Sequence, residues 1–257
     1  MYLPSFQLTG KTALVTGAGK GIGRALAVGL AEAGCDVALV SRTMADLEQT
    51  SALIEQVSSA RSFRYAADVS DRAAMEKTAA QALADLGRLD IWINNAGMNI
   101  RTPALEVTDS EWETIVGTNL KSALIGSQQA AGFMKEQGGG SIINIASVAG
   151  VTALRTGVVY GATKAGIIQM TRNLALEWAP YGIRVNGVGP WYFKTPLSEK
   201  VLADEAYLSR ILDRTPMGRI GELGELVGPV VFLASEASSY MTGQTLIVDG
   251  GMSIFGF

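Results

Sequence analysis

The 257-residue chain has no histidine and only one cysteine, Cys35. Without histidine, the side chain whose unperturbed pKa lies nearest neutrality is missing, so any proton transfer needs another group tuned into range. A single cysteine excludes an internal disulfide framework, and the usual His/Cys metal-ligand clusters are absent with it, so no metal is expected. A large excess of either charge is lacking as well. With 21 basic and 24 acidic residues the net charge is −3, and the basic residues are scattered. Nucleic acid and anionic membranes need a concentrated basic surface and are therefore excluded as partners. No uninterrupted apolar run reaches the ~18 residues that cross a bilayer, and the opening residues MYLPSFQLTGK lack a basic stretch followed by an apolar one. The expectation is a cytoplasmic protein.

What is there is a 48% hydrophobic chain, enough for a large core, and residues 1–257 are read as a single domain. Short β-branched runs alternate with segments of helical period, the pattern of repeated strand-helix units around a parallel sheet. Strands are predicted at Lys11–Thr16, Asp36–Val40, Ser62–Ala67, Asp90–Asn94, Ser141–Ala146, Ile183–Val188 and Thr245–Asp249. Helices are predicted at Ile22–Ala33, Met44–Ser58, Arg72–Leu86, Ser110–Gln137, Tyr160–Ala179 and Leu223–Ala234, with Ser70 and Asp109 as N-caps of two of them. The fold class is α/β: a Rossmann-type, doubly wound, seven-stranded parallel sheet with helices on both faces. Ligands are expected beyond the carboxyl ends of its strands. One interruption, residues 189–221, is aromatic and proline-bearing and is read as a substrate-binding loop or lid.

After the first strand comes VTGAGKGIGRAL (Val15–Leu26), a glycine turn that opens a helix. Gly17, Gly21 and Gly23 permit a tight turn and a close backbone approach to a pyrophosphate at the helix N-terminus. The residue that selects the cofactor falls at the end of the second strand, where an acid would bind a ribose 2′-hydroxyl. Ser41 and Arg42 stand there instead, so no acid repels a 2′-phosphate, and Arg42 together with Lys20 is positioned to pair with one. NADP(H) is expected in preference to NAD(H).

Ser147 ends the fifth predicted strand, and thirteen residues later Tyr160 begins a helix with Lys164 one turn on. An ammonium at i+4 favours phenolate, so Lys164 is expected to lower the tyrosine's pKa toward working pH and make Tyr160 an acid/base. The same spacing arises by accident on any helix face.

Taken in order, TGAGKGIG (Thr16–Gly23), NNAG (Asn94–Gly97), GTNL with Asn119, NIASVAG with Ser147, YGATK (Tyr160–Lys164) and VNGVGP resemble the short-chain dehydrogenase/reductase family over essentially the whole chain. The resemblance implies that Ser147, Tyr160 and Lys164 are catalytic, and that Asn119 completes a tetrad supporting a proton relay. It further implies cofactor contacts from Gly17 to Gly23, including Lys20 and Ile22, and from Ser41, Arg42, Asp68, Val69, Asn95, Ala96, Gly97, Pro190 and Thr195, with Tyr160 and Lys164 also touching the cofactor. The implied reaction is hydride transfer between a nicotinamide and a carbonyl carbon. Tyr160 gives the proton and Ser147 orients the oxygen. One departure is clear: the family usually has Pro-Gly after the sixth strand, whereas here Gly189-Pro190 is followed by Trp191, a large indole placed to shape the substrate mouth or to turn into the core.

Within the family, the NNAGMNIRTPALE segment and the tail from Arg214 look like the gluconate 5-dehydrogenase and 3-oxoacyl-carrier-protein reductase branches. A small-molecule ketone or alcohol, a sugar acid or polyol, is therefore the expected substrate, with Arg101 and Arg155 as candidates for a carboxylate. A 3-oxoacyl thioester is the alternative. A non-catalytic NADP-binding sensor or structural subunit is the alternative of another class. A homodimer or homotetramer is implied by the resemblance, and the apolar end GGMSIFGF is expected to contribute a contact through Ile254–Phe257.

Overall fold

In the computed structural model, which describes residues 4–256, the apolar runs form seven strands: β1 (Thr12–Thr16), β2 (Asp36–Ser41), β3 (Ser62–Ala66), β4 (Ile91–Asn94), β5 (Gly140–Ile145), β6 (Ile183–Pro190) and β7 (Thr245–Val248). They pair in parallel throughout, in the order β3-β2-β1-β4-β5-β6-β7. Strands β1, β4 and β5 are buried along nearly their whole length, which is why they read as unbroken apolar runs rather than alternating ones. Chain order reverses between β1 and β4, the switch point at whose carboxyl edge such sheets form a ligand crevice.

Helices cover both faces. On one, α1 (Gly21–Glu32), α2 (Met44–Val57) and α9 (Gly224–Ala234) bury Leu26, Leu30, Leu47, Leu226 and Leu233 against the sheet. On the other, α3 (Arg72–Leu86), α5 (Ser122–Gln137) and α6 (Val158–Trp178) bury Met75, Met134, Leu174 and Trp178. None of the described helices is long and apolar enough to cross a membrane.

Three local expectations change. The helix predicted over Ser110–Gln137 is α4 (Asp109–Val116) joined to α5 by a π-helical turn over Gly117–Lys121. Its cap is Thr108, whose hydroxyl accepts from the Glu111 amide at 3.2 Å, and Asp109 is the first helical residue rather than the cap. For α3 the cap is Asp71, accepting from the Ala74 amide at 3.1 Å; Ser70 instead donates to Asp68. In both cases the side chain that reaches the third residue on lies one position from the one predicted. The third difference is at β6, which runs two residues beyond its predicted end because Gly189 and Pro190 pair with Ile247 and Val248 of β7.

A buried polar ladder crosses the sheet near its carboxyl edge. Trp92 Nε1 donates to Asn94 Oδ1 at 2.8 Å, and Asn94 Nδ2 donates to Ser127 Oγ at 2.9 Å and Asn144 Oδ1 at 2.8 Å. Asn144 Nδ2 then donates to Thr171 Oγ1 at 2.9 Å. Every member finds a partner, so the ladder ties β4 and β5 to both α5 and α6 without an orphaned polar atom. Residues 189–221 carry two short helices, α7 (Glu199–Leu202) and α8 (Glu205–Asp213), and the excursion is closed at its base by the Phe193–Gly221 bridge and by the Gly221 amide donating to the Tyr192 carbonyl at 3.1 Å.

Candidate active site

The glycine turn stands at the crevice between β1 and β4. Gly17 and Gly21 have φ of +68° and +55°, conformations that side chains with a β-carbon rarely adopt. Gly23 has an ordinary helical backbone, but a β-carbon there would collide with the Gly17 carbonyl and Asn95 Nδ2. Lys20 occupies the N-cap of α1 in extended conformation with no side-chain cap, leaving the first amides of the helix directed at the crevice. Asn95 stitches the turn to the sheet, its Nδ2 donating to the Thr16 carbonyl at 2.9 Å, while its amide and that of Ala96 donate to Thr16 Oγ1. Thr195, on the excursion after β6, closes over the turn: a β-carbon on Gly21 would meet its Cβ at 3.4 Å. The cradle suits a dinucleotide pyrophosphate, being backbone-lined, small and at a helix N-terminus.

At the far end of this cleft the structure revises the sequence reading. Lys20 is paired with Asp46 at 3.2 Å, so its charge is already engaged. Asp46 itself, in the first turn of α2, is an acid beside Ser41: a β-carbon on Gly19 would stand 2.9 Å from Asp46 Cβ and 3.0 Å from Ser41 Oγ. The sequence reading counted no acid here, and the structure adds Asp46 beside Ser41 with its charge offset by Lys20. Arg42 is exposed, and among the described residues it has no carboxylate within ion-pair distance. Asp68 lies close enough to feel its charge. Two hydrogen bonds from Ser70, aided by Arg42, hold the Asp68 carboxyl below its ordinary range. Val69 is buried next to it.

The catalytic candidates converge from three elements. Lys164, buried on α6, donates from Nζ to the Ile145 carbonyl at the end of β5 (2.8 Å), and lies 5.6 Å from the centroid of the Tyr160 ring. Asn119, at the centre of the π-helical turn, is turned into the protein. Its Oδ1 accepts from the Met98 amide at 2.8 Å, and its Nδ2 donates to the Met98 carbonyl at 2.9 Å and Thr163 Oγ1 at 3.2 Å. A β-carbon on Gly97 would stand 3.4 Å from Asn119 Oδ1 and 3.7 Å from Lys164 Nζ, so that glycine keeps the space between β4 and the lysine open. Ser147 begins the short 3-10 turn after β5, its Oγ accepting from the Ala149 amide at 3.1 Å.

Burial acts on both ends of the Tyr160/Lys164 pair. It raises the Tyr160 phenol above its ordinary range, while the Ser147 hydroxyl and the charge of Arg101 pull the other way. It pushes the Lys164 ammonium down to about 8. The sequence reading gave Lys164 the task of lowering the phenol; in the structure the counterweights are Ser147 and Arg101, and burial outweighs them. At neutral pH the outcome is a protonated phenol beside a mostly protonated amine, two proton donors on one helix face.

Arg101 and Arg155 both line a cavity of about 750 Å³ beside this group, walled also by Thr102, Ala149, Gly157 and Gly161. Trp191 is not directed there. Its Nε1 donates to Thr215 Oγ1 at 3.0 Å, and it lines a small second cavity with Met217, Val248 and Asp249. The next residue, Tyr192, is the one that reaches Arg101, with Arg101 Nη2 donating to its hydroxyl at 3.1 Å. Sequence reasoning passed over Tyr192, as it did Tyr207 and Asp46. The run Trp191-Tyr192-Phe193 signalled an aromatic loop without showing which ring turns inward.

Comparison with known proteins agrees with this geometry. The family model described as enoyl-(acyl carrier protein) reductase matches residues 17–253. A tropinone reductase homologue of Arabidopsis thaliana is 43% identical over 98% of this chain and 96% of its own. Gluconate 5-dehydrogenase of Gluconobacter oxydans is 39% identical over 97% of each chain. Among solved structures, a gluconate 5-dehydrogenase from Burkholderia cenocepacia in complex with NADP and tartrate superposes with a TM-score of 0.94 at 36% identity, covering 99% of this chain and 100% of its own.

Proposed function

As the chain belongs to the short-chain dehydrogenase/reductase family, and is thereby an NAD(P)-dependent oxidoreductase, we propose that it interconverts a secondary alcohol and a ketone on a sugar acid, using NADP(H) in preference to NAD(H). The observation that carries the substrate reading is Arg101: exposed on the wall of the cavity beside Tyr160, it has no acidic partner within ion-pair distance among the described residues and is held by phenols instead. Such a guanidinium favours an anionic substrate over a protonated amine ketone.

The nicotinamide, when bound, supplies or accepts the hydride. Tyr160 delivers its proton to the carbonyl oxygen, and the burial that raises its pKa keeps that proton in place at neutral pH. Ser147 donates a hydrogen bond to the same oxygen and polarises it. Lys164, anchored on the Ile145 carbonyl, keeps a positive charge under the phenol as it becomes phenolate, and Asn119 fixes the loop after β4 against α6 through Met98 and Thr163. For the cofactor, Gly17 to Gly23, Asn95, Ala96, Gly97, Pro190 and Thr195 form the cradle, with Asp68 and Val69 toward the adenine. Arg42 is the residue assigned to the 2′-phosphate.

The test is a parallel assay with NADPH and NADH on gluconate, 5-ketogluconate, related polyols, a neutral ketone and a 3-oxoacyl thioester. Turnover of the sugar acid with NADP(H) is expected; its absence would sink the substrate reading. The thioester is the second reading: the description of the matched family names an acyl-carrier-protein substrate, though an enoyl rather than a 3-oxoacyl one. Arg42→Ala tests the cofactor preference separately. Losing one charge-assisted contact to phosphate raises KM for NADPH by about tenfold and leaves KM for NADH within about twofold. Equal effects on both cofactors would show that Arg42 does not read the phosphate.

The same reading carries a homodimer or homotetramer in the cytoplasm. Trp112 on α4 and Val158 and Leu176 on α6 are exposed and apolar, and so is Ile254 near the end of the chain. The rest of the tail contact foreseen there includes Phe257, which lies outside the described residues.

A further inference from the structure

Arg101 reaches from the loop after β4 to the excursion after β6. Its Nη2 donates to the Tyr192 hydroxyl at 3.1 Å and its Nη1 to the Tyr207 hydroxyl at 3.2 Å, and the two hydroxyls lie 3.2 Å apart. The Arg101 guanidinium carbon is 5.5 Å from the centroid of the Tyr207 ring, which Arg210 approaches at 5.3 Å. Two cations thus share one ring. Among the described residues, neither they nor Arg155 come within 4.0 Å of a carboxylate.

A donor count shows what is missing. A guanidinium has five N–H groups and no acceptor, and a phenol has one O–H. The bond between the two phenols uses one of their two hydrogens, so one phenol O–H remains free beside the unused N–H groups of Arg101. Burial, together with the contact from Tyr207, pushes the Tyr192 phenol up to about 12, so it keeps its proton at neutral pH. The cluster therefore offers donors and positive charge to a group that only accepts. A carboxylate is such a group.

We propose that Tyr192 and Tyr207 are specificity-determining residues, holding Arg101 in a clasp that receives the carboxylate of the substrate while Tyr160 serves its carbonyl. The assignment rests on the sugar-acid reading above. Neither phenol touches the reacting atoms in this scheme; both act on the anionic end and on the position of the guanidinium. The clasp gathers three separate pieces of chain: the loop after β4, the start of the excursion after β6, and α8. Removing one phenol leaves Arg101 present but no longer fixed.

The experiment uses Tyr192→Phe, Tyr207→Phe and the double variant, each first checked by thermal melting and NADPH fluorescence titration. In the double variant KM for 5-ketogluconate rises by about tenfold relative to KM for a neutral ketone, while kcat on 5-ketogluconate stays within about threefold. An unchanged ratio of the two KM values, or an equal loss on both substrates, would overturn the proposal. A second readout needs no turnover. With NADPH present, tartrate raises the melting temperature of the native protein and its neutral counterpart threitol does not, and the tartrate effect is lost in the double variant. If 5-ketogluconate is not a substrate, the sugar-acid reading fails on its own, and the tartrate measurement still decides the clasp: an absent effect in the native protein, or an equal one in the variant, refutes it.

Discussion

Replacing Tyr160 by phenylalanine is expected to lower kcat by about 10³-fold while leaving NADPH affinity within about threefold, because a positioned general acid contributes about 10²–10⁴ and the ring itself is kept. The hydroxyl is the only atom removed, and the packing of the ring over Lys164 Nζ is retained. Steady-state kinetics combined with fluorescence titration of NADPH separates the two effects. Turnover within about tenfold of the native protein would transfer the proton to another donor. The sign of the pH dependence follows from the direction of the shift. Burial raises the phenol, so the protonated form needed for ketone reduction persists through neutral pH; reduction should begin to fall near pH 8, where Lys164 loses its charge, and fall further as more alkaline pH removes the phenol proton. Alcohol oxidation, which needs the phenolate, should rise over the same range.

Gly23→Val is expected to reduce NADPH affinity by about 100-fold. The new side chain must enter space held by the Gly17 carbonyl and by Asn95 Nδ2, which are backbone and a tethered amide rather than the free end of a flexible chain. Relief requires α1 to retreat from the turn, and that movement withdraws the helix N-terminus from the pyrophosphate. Titration of NADPH fluorescence measures the affinity, and far-UV circular dichroism shows whether the sheet survives. Native affinity in a folded Gly23→Val protein would mean that the turn does not hold the cofactor. A smaller substitution at Gly117, where no atom stands within 4 Å of a new β-carbon, provides the contrast.

Much of the sheet was readable in the chain because strands covered on both faces must be apolar along their whole length, as Ala13–Val15 and Ile91–Ile93 are. The glycine turn was readable for a related reason: positive φ at Gly17 and Gly21 restricts the residue type at fixed spacing. Tyr160 and Lys164 share one helical turn, so local periodicity brings them together. What local periodicity cannot show is contact at long separation. Arg101 meets Tyr192 and Tyr207 across 91 and 106 residues, and nothing in the NIRTP segment indicates which rings will receive it. Lys20 looked like a phosphate ligand from its place in the turn, yet its partner Asp46 lies on the next helix and is met only once the chain has folded. The direction of the Tyr160 shift was missed for a similar reason. A spacing of four residues announces a charge nearby but carries no information about how much water the fold removes from the phenol.

The π-helical turn at Gly117–Lys121 works as a phase adjuster between two fixed points. Upstream, Asn119 must enter the site to meet Met98 and Thr163; downstream, Ser127 must face Asn94 in the buried ladder. An unbroken α-helix advances about 100° per residue, so removing the extra residue would rotate all of α5 by about that angle relative to Asn119. Ser127 would swing away from Asn94, and Gly126, which gives Trp92 and Asn94 room to approach, would be replaced on that face by a residue with a side chain. The helix is therefore intolerant of length changes by a single residue between Asn119 and the ladder, even where the residues between are themselves replaceable.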